Sequence, residues 1–244
     1  MDESLQKIMF IDIETVPQTA VFNELPEEMK HLWEDKYSLL QRKNPEKYGT
    51  ETTAAEGYFI NAGIFAEFGR IVCISVGYIF YRSNVMHFRT KSFAGNDEKA
   101  LLSDFSELII KNFPSRYDYF CGHNIKEFDI PYICRRMLIH RVPLPNALQL
   151  NGKKPWEVNL LDTLDFWKFG DYKNFASLKL LTAVFGIPTP KDDIDGSQVA
   201  RVFYLEDDLP RITAYCQKDV QATAQVWLRM NGLETFNPEN IEYA

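Results

Sequence analysis

The chain has 244 residues, 45% apolar and 25% charged, which is ordinary globular usage and excludes a disordered, collagen-like or low-complexity polymer. At about 150 residues per domain this length fits one large domain with a core that needs no staples. With 27 bases against 34 acids the net charge is −7, so a grip on nucleic acid by bulk charge is excluded and any such contact has to be local.

No uninterrupted run of about 18 apolar residues occurs, so no membrane partner is expected. The opening MDESLQKIMF has neither the basic nor the apolar segment of a secretory signal. Cys73, Cys121, Cys134 and Cys216 form no CxxC pair and read as reduced core thiols. A cytoplasmic location is expected.

In chain order, residues 7–15 (KIMFIDIET) read as a buried strand that ends in acids. Residues 17–69 hold nine acids and five bases and so carry −4 of the net charge. This stretch reads as an insertion after the first strand, with one helix behind Pro26 and mostly loop beyond it. Residues 69–80 are a β-branched central strand, and 84–93 pair with it as a hairpin. A helix capped by Asn96 or Asp97 runs to about 112. Residues 117–124 form a strand, 127–141 a helix with Pro131 in its first turn, and 158–166 a short strand. Helices follow over 177–186, around 196–204 and over 207–232, the first ended by Gly186 and the last by Gly232. The order predicts an α/β fold, a mixed sheet covered by helices, as a single domain over 1–244.

Asp12 and Glu14, two apart on one strand, share a face at its C-terminal end, where open α/β sheets bind their ligands. Asp129 opens a helix just after another strand. Asp219 lies in the final helix, with Tyr215 one turn earlier on the same face. Carboxylates drawn from separate elements are how a protein holds a hard divalent cation. Without cations they would repel strongly. With no histidine or cysteine in the set, Mg²⁺ or Mn²⁺ is favoured over zinc.

FIDIET, GHNIKEFDIPYI and YCQKDV, in that order, resemble the three exonuclease motifs of the DEDD superfamily of 3′–5′ exonucleases. The similarity extends over about residues 7–230. It is greatest to the proofreading exonuclease domain of family B DNA polymerases, and within that group to free-standing bacterial proteins related to it. The resemblance implies a ribonuclease H-like fold. It also implies two Mg²⁺ or Mn²⁺ ions on Asp12, Glu14, Asp129 and Asp219, with Tyr215 orienting the attacking water. This is the tyrosine variant, because the position that a histidine variant would use is Ala214. The implied reaction is hydrolysis of the 3′-terminal phosphodiester, releasing nucleoside 5′-monophosphates. Thr15, Asn124 and Phe128 fall where the family meets its substrate strand. DNA, as single-stranded ends, is the first expectation. An exoribonuclease or oligonucleotidase and a non-catalytic nucleic-acid-binding module are the alternatives, and a polymerase or repair partner in trans fits each nuclease reading.

Residues 122–191 carry ten bases and six acids, a local +4. Arg135, Arg136, Arg141, Lys153, Lys154 and Lys173, interleaved with Trp156, Phe166, Trp167, Phe169 and Tyr172, are candidates for a strand-binding groove. His123 reads as a structural hydrogen-bonding residue. Asp162 and Asp165 read as strand-end acids next to a helix start.

Overall fold

The computed structural model describes residues 5–114, 118–154, 157–171, 173, 175–188 and 194–244. Strand β1 (Ile8–Pro17) is followed by helices α1 (Glu27–Lys43), α2 (Pro45–Tyr48) and α3 (Ala54–Asn61). Strands β2 (Gly69–Arg82) and β3 (Val85–Ala94) form the hairpin, and helix α4 (Glu98–Asn112) leads to β4 (Tyr119–Gly122). Helix α5 (Asp129–His140), strand β5 (Leu160–Asp162) and helices α6 (Thr163–Lys168), α7 (Leu178–Val184), α8 (Val199–Tyr204) and α9 (Leu209–Met230) complete the order, before a last strand β6 (Ile241–Tyr243).

The six strands run β5-β4-β1-β2-β3-β6. β1, β2 and β3 are an antiparallel meander, while β4 and β5 lie parallel to β1. That mixed α/β sheet flanked by helices is the ribonuclease H-like arrangement the sequence leads one to expect. Strand alternation divides the core. Met9, Ile11 and Ile13 face α4 and α5, and Ile8 and Phe10 face α9. Asp12 and Glu14 follow on the α9 side.

The boundaries depart from expectation in three places. The run 158–166 is a strand only over 160–162, because the Asp162 side chain accepts the Leu164 N–H at 2.9 Å and caps α6. The helix expected from 127 starts at Asp129, because Glu127 N and Phe128 N turn back onto Asn124 O. The polar C-terminal stretch contributes β6, which pairs with β3 and is held by Glu242 against Arg82 and Arg89. Of Asn96 and Asp97, Asp97 caps α4, and Asp208 caps α9.

Residues 44–61, read as loop with some helix, hold two helices, one started by the Thr53–Glu56 capping box. The 17–69 stretch has its own cluster, built on Leu25, Trp33, Tyr37, Tyr48, Tyr58 and Phe68. It returns to the sheet at Gly63, whose Cα has the Val16 backbone beside it.

Candidate active site

β1 delivers two carboxylates. Its register against β2 slips between Glu14 and Thr15, where Glu14 faces Cys73 and Thr15 faces Ile71. A bulge there twists the strand and re-aims the side chains at its end, as bulges beside active sites do. β4 pairs with β1 only as far as Phe10 and Cys121. Beyond that the Ile13 N–H donates to Asp129 Oδ1 at 3.2 Å, so the first residue of α5 takes the place of a ladder partner. Gly122 makes this turn possible, since a Cβ there would stand 2.7 Å from Ile125 Cβ and 3.1 Å from Ile11 O.

α9 brings the remaining groups. Ile212, Cys216 and Val220 are buried, which sets Tyr215 and Asp219 at the margin of the packed face. The Tyr215 hydroxyl lies beside the Asp219 carboxylate, which helps to raise its pKa. The Cys216 thiol lies 3.3 Å from Asp12 Oδ2 and 3.4 Å from Asp12 O.

Electrostatics show how closely the acids gather. Burial raises Asp12 well above the usual carboxylate range, and the charges of Asp219 and Asp129 add to it. Glu14 is raised likewise by burial and then by Asp12 and Asp219. Asp129 is pushed up to about 7, chiefly by burial, against the lowering effect of backbone N–H groups. Burial also drives Tyr215 far above its ordinary value, with Asp219, Glu14 and Asp12 adding to it. All four carboxylates and the tyrosine thus act on one another.

The residues present fit divalent cations. Like-charged oxygens gathered in one place suit a hard divalent cation, which would offset their repulsion. Asp12, Glu14 and Cys216 place one ligand atom each within 4.8 Å of one another. Burial keeps Cys216 a thiol, so we read it as a donor to Asp12, not as a sulfur ligand.

The substrate candidates are placed less uniformly. Thr15 is half-buried and shares a hydrogen bond with Tyr132, whose hydroxyl donates to Gly63 O at 2.8 Å. Asn124 is half-buried with a left-handed backbone, φ 66°. Phe128 packs against the Tyr132 ring and the core, with some surface exposed. Arg136 is a correction. It is 3% exposed and bound to Glu98 at 2.8 and 2.5 Å, so it lines no groove. Arg135, Arg141, Lys153, Lys154 and Lys173 are exposed. Phe166 packs on Trp227 and Trp167 on Phe185, whereas Phe169 is 92% exposed; Trp156 and Tyr172 lie outside the described residues.

Sequence reasoning passed over Tyr132 and Cys216. Both signals were available, since Tyr132 is one turn after Asp129 and Cys216 adjoins Tyr215. His123 is structural, with Nε2 donating to Ala176 O at 2.9 Å and Nδ1 2.9 Å from Thr163 Oγ1.

The comparison with curated proteins returns no match. Among solved structures, the RNase domain of the yeast Pop2 protein aligns at a TM-score of 0.45 and 11% identity, over 98% of this chain and 82% of that one. Residues 64–242 match the family described as a predicted 3′–5′ exonuclease related to the exonuclease domain of PolB. That span holds Asp129, Tyr215 and Asp219, and it begins after the strand that carries Asp12 and Glu14. With about three quarters of its length matched, the chain belongs to the family of predicted 3′–5′ exonucleases related to the exonuclease domain of PolB.

Proposed function

We propose that this protein is a divalent-metal-dependent 3′–5′ exonuclease that removes nucleoside 5′-monophosphates from single-stranded DNA ends, acting as one domain with residues 17–69 inserted in it. The observation that carries the reading is the convergence of Asp12, Glu14, Asp129 and Asp219, from three separate elements, into one group of mutually repelling carboxylates, two of them buried and two half-buried.

These four residues hold the ions. When bound, two divalent ions supply Lewis-acid stabilisation of the charge that develops on the attacking and leaving oxygens. The protein's own groups do the rest. Ile13 N–H fixes Asp129. Cys216 orients Asp12. Tyr215 stays protonated at any working pH, so it is no general base; its hydroxyl holds Asp219 and orients water as a donor. Thr15 and Asn124, both partly exposed, are placed to meet the terminal nucleotide. Two divalent ions bring the net charge from −7 to −3, which lessens repulsion of a polyanion.

The test uses 3′- and 5′-labelled single-stranded DNA and matched RNA with Mg²⁺, Mn²⁺ or EDTA, for wild type beside Asp12→Ala. A metal-dependent ladder shortening from the 3′ end, faster on DNA and absent in the variant, is expected. Faster attack on RNA would transfer the substrate to the ribonuclease alternative. Full activity in Asp12→Ala would overturn the site.

A further inference from the structure

We propose that Asp162, which the metal site does not use, is a positioning residue that shapes the loop between β4 and α5 and thereby places Asn124 and Asp129. The inference rests on the exonuclease reading above for its kinetic consequence, and on geometry alone for the clamp itself.

Asp162 ends β5 opposite Gly122, the last residue of β4. Its side chain is 1% exposed, and both oxygens are taken by main-chain donors. Oδ1 accepts Asn124 N–H and Leu164 N–H, each at 2.9 Å, and Oδ2 accepts Lys126 N–H at 3.1 Å. The Leu164 contact is an ordinary helix cap. The other two reach across to a different segment, which a cap does not require. Both oxygens are thus engaged by main-chain N–H groups, so Asp162 acts on the site through the backbone it holds.

A carboxylate suits this place because its oxygens only accept, and three N–H groups converge on them. They hold a backbone that resists its own conformation, since Asn124 is left-handed without being glycine. The loop then closes on itself. Glu127 N–H and Phe128 N–H donate to Asn124 O, and Ile130 N–H donates to Ile125 O. The next link is Asp129 itself, fixed to Ile13 N–H. Asp162 is therefore connected to a metal ligand through its bond to Asn124 N–H, the Phe128 N–H bond to Asn124 O and the single peptide bond from Phe128 to Asp129. His123, held by Thr163 and Ala176, braces the same loop from the same side. Groups that orient ligands from behind typically account for about 10- to 100-fold in metal affinity or activity.

The experiment compares full-length wild type, Asp162→Ala, Asp162→Asn, Asn124→Ala and the Asp162→Ala/Asn124→Ala double variant. Hydrogen exchange in EDTA reads the clamp without any catalysis. Exchange of the 122–128 amides is expected to speed up in Asp162→Ala while β1 and β2 keep their protection. On labelled single-stranded DNA, kcat/KM is expected to fall about 10- to 100-fold. Asp162→Asn keeps the oxygen that serves Asn124 and Leu164 but sets an amide N–H against Lys126 N–H, so faster exchange at Lys126 and a smaller loss of kcat/KM than in Asp162→Ala are expected, and it carries the test if the alanine variant does not fold. Asn124→Ala is expected to cost little more once Asp162 is gone, because the loop is already misplaced. Unchanged loop exchange, wild-type kcat/KM, or a fully additive double variant would each overturn the proposal. Absence of cleavage by wild type would instead remove the exonuclease reading, and the exchange experiment would still decide the clamp.

Discussion

Two groups of ionisable residues sit on opposite faces of the sheet, and they are built on opposite principles. On the α4–α5 side, Glu98 is 5% exposed, yet burial does not prevail. The Arg136 guanidinium grips both its oxygens, Ile71 N–H and His140 add to that, and the carboxyl is held below its ordinary value. Arg136 also donates to Ala66 O, so the pair ties the end of the 17–69 stretch to α5. On the α9 side, the strongest influences on Asp12 and Glu14 are burial and neighbouring acids, and all of these push upward. The first group is satisfied from within. In the second, burial and like charge push Asp12 and Glu14 upward together, which is the pattern expected of the proposed cation site.

The largest effect that separates the two groups is on cleavage. Asp219→Asn is expected to reduce exonuclease activity to background while raising the stability of the metal-free protein by about 1 kcal/mol, because it relieves repulsion. Paired activity and urea-unfolding measurements check both signs. The mirror experiment is Arg136→Ala, which leaves Glu98 buried without its partner. A loss of about 3–5 kcal/mol is expected, seen as a lower urea midpoint and the same in EDTA as in Mg²⁺. A metal-dependent loss would merge the two groups into one.

Next in size is a pH effect. Asp129 titrates in the folded chain at about 7 against an ordinary 3.8. The folded state therefore binds the extra proton, and the associated stability is fully present below the unfolded value and lost as pH rises through about 7. In EDTA, thermal stability is expected to fall from about pH 5 to about pH 8, and Asp129→Asn should flatten that slope. Divalent metal should restore stability at the alkaline end, whereas the Glu98 pair contributes no such dependence on metal. The smallest effect is Tyr215→Phe. It removes the hydroxyl that holds Asp219 and orients water, so a rate lower by about 10- to 100-fold is expected, with substrate binding little changed. The pH–rate profile should keep its shape, because the hydroxyl does not titrate in the working range.

The two groups also differ in how far they could be read from the sequence. The site was legible because its acids stand where periodicity makes them conspicuous. Asp12 and Glu14 interrupt an apolar strand at period two, and Tyr215 and Asp219 lie one turn apart on a long amphipathic helix. Arg136 was misread for the same reason. A base among bases at 135, 136 and 141 reads as surface, and nothing nearby in the chain announces that Glu98, 38 residues away, encloses it. Asp162 was recognised as a strand-end acid at a helix start, but only half of its bonding follows from that position.

The sequence alone thus determined the order of strands and helices and the mixed α/β class, through side-chain periodicity and local capping, and its three motifs singled out the residues proposed to carry the chemistry. Only the tertiary structure decided what each buried charge faces. It paired Glu98 with Arg136 across two helices, brought Tyr132 against Thr15 and Gly63, and turned three backbone N–H groups onto Asp162. The physical reason is that a buried ion depends on partners that are close in space and remote in the chain, and local sequence pattern contains no measure of that distance.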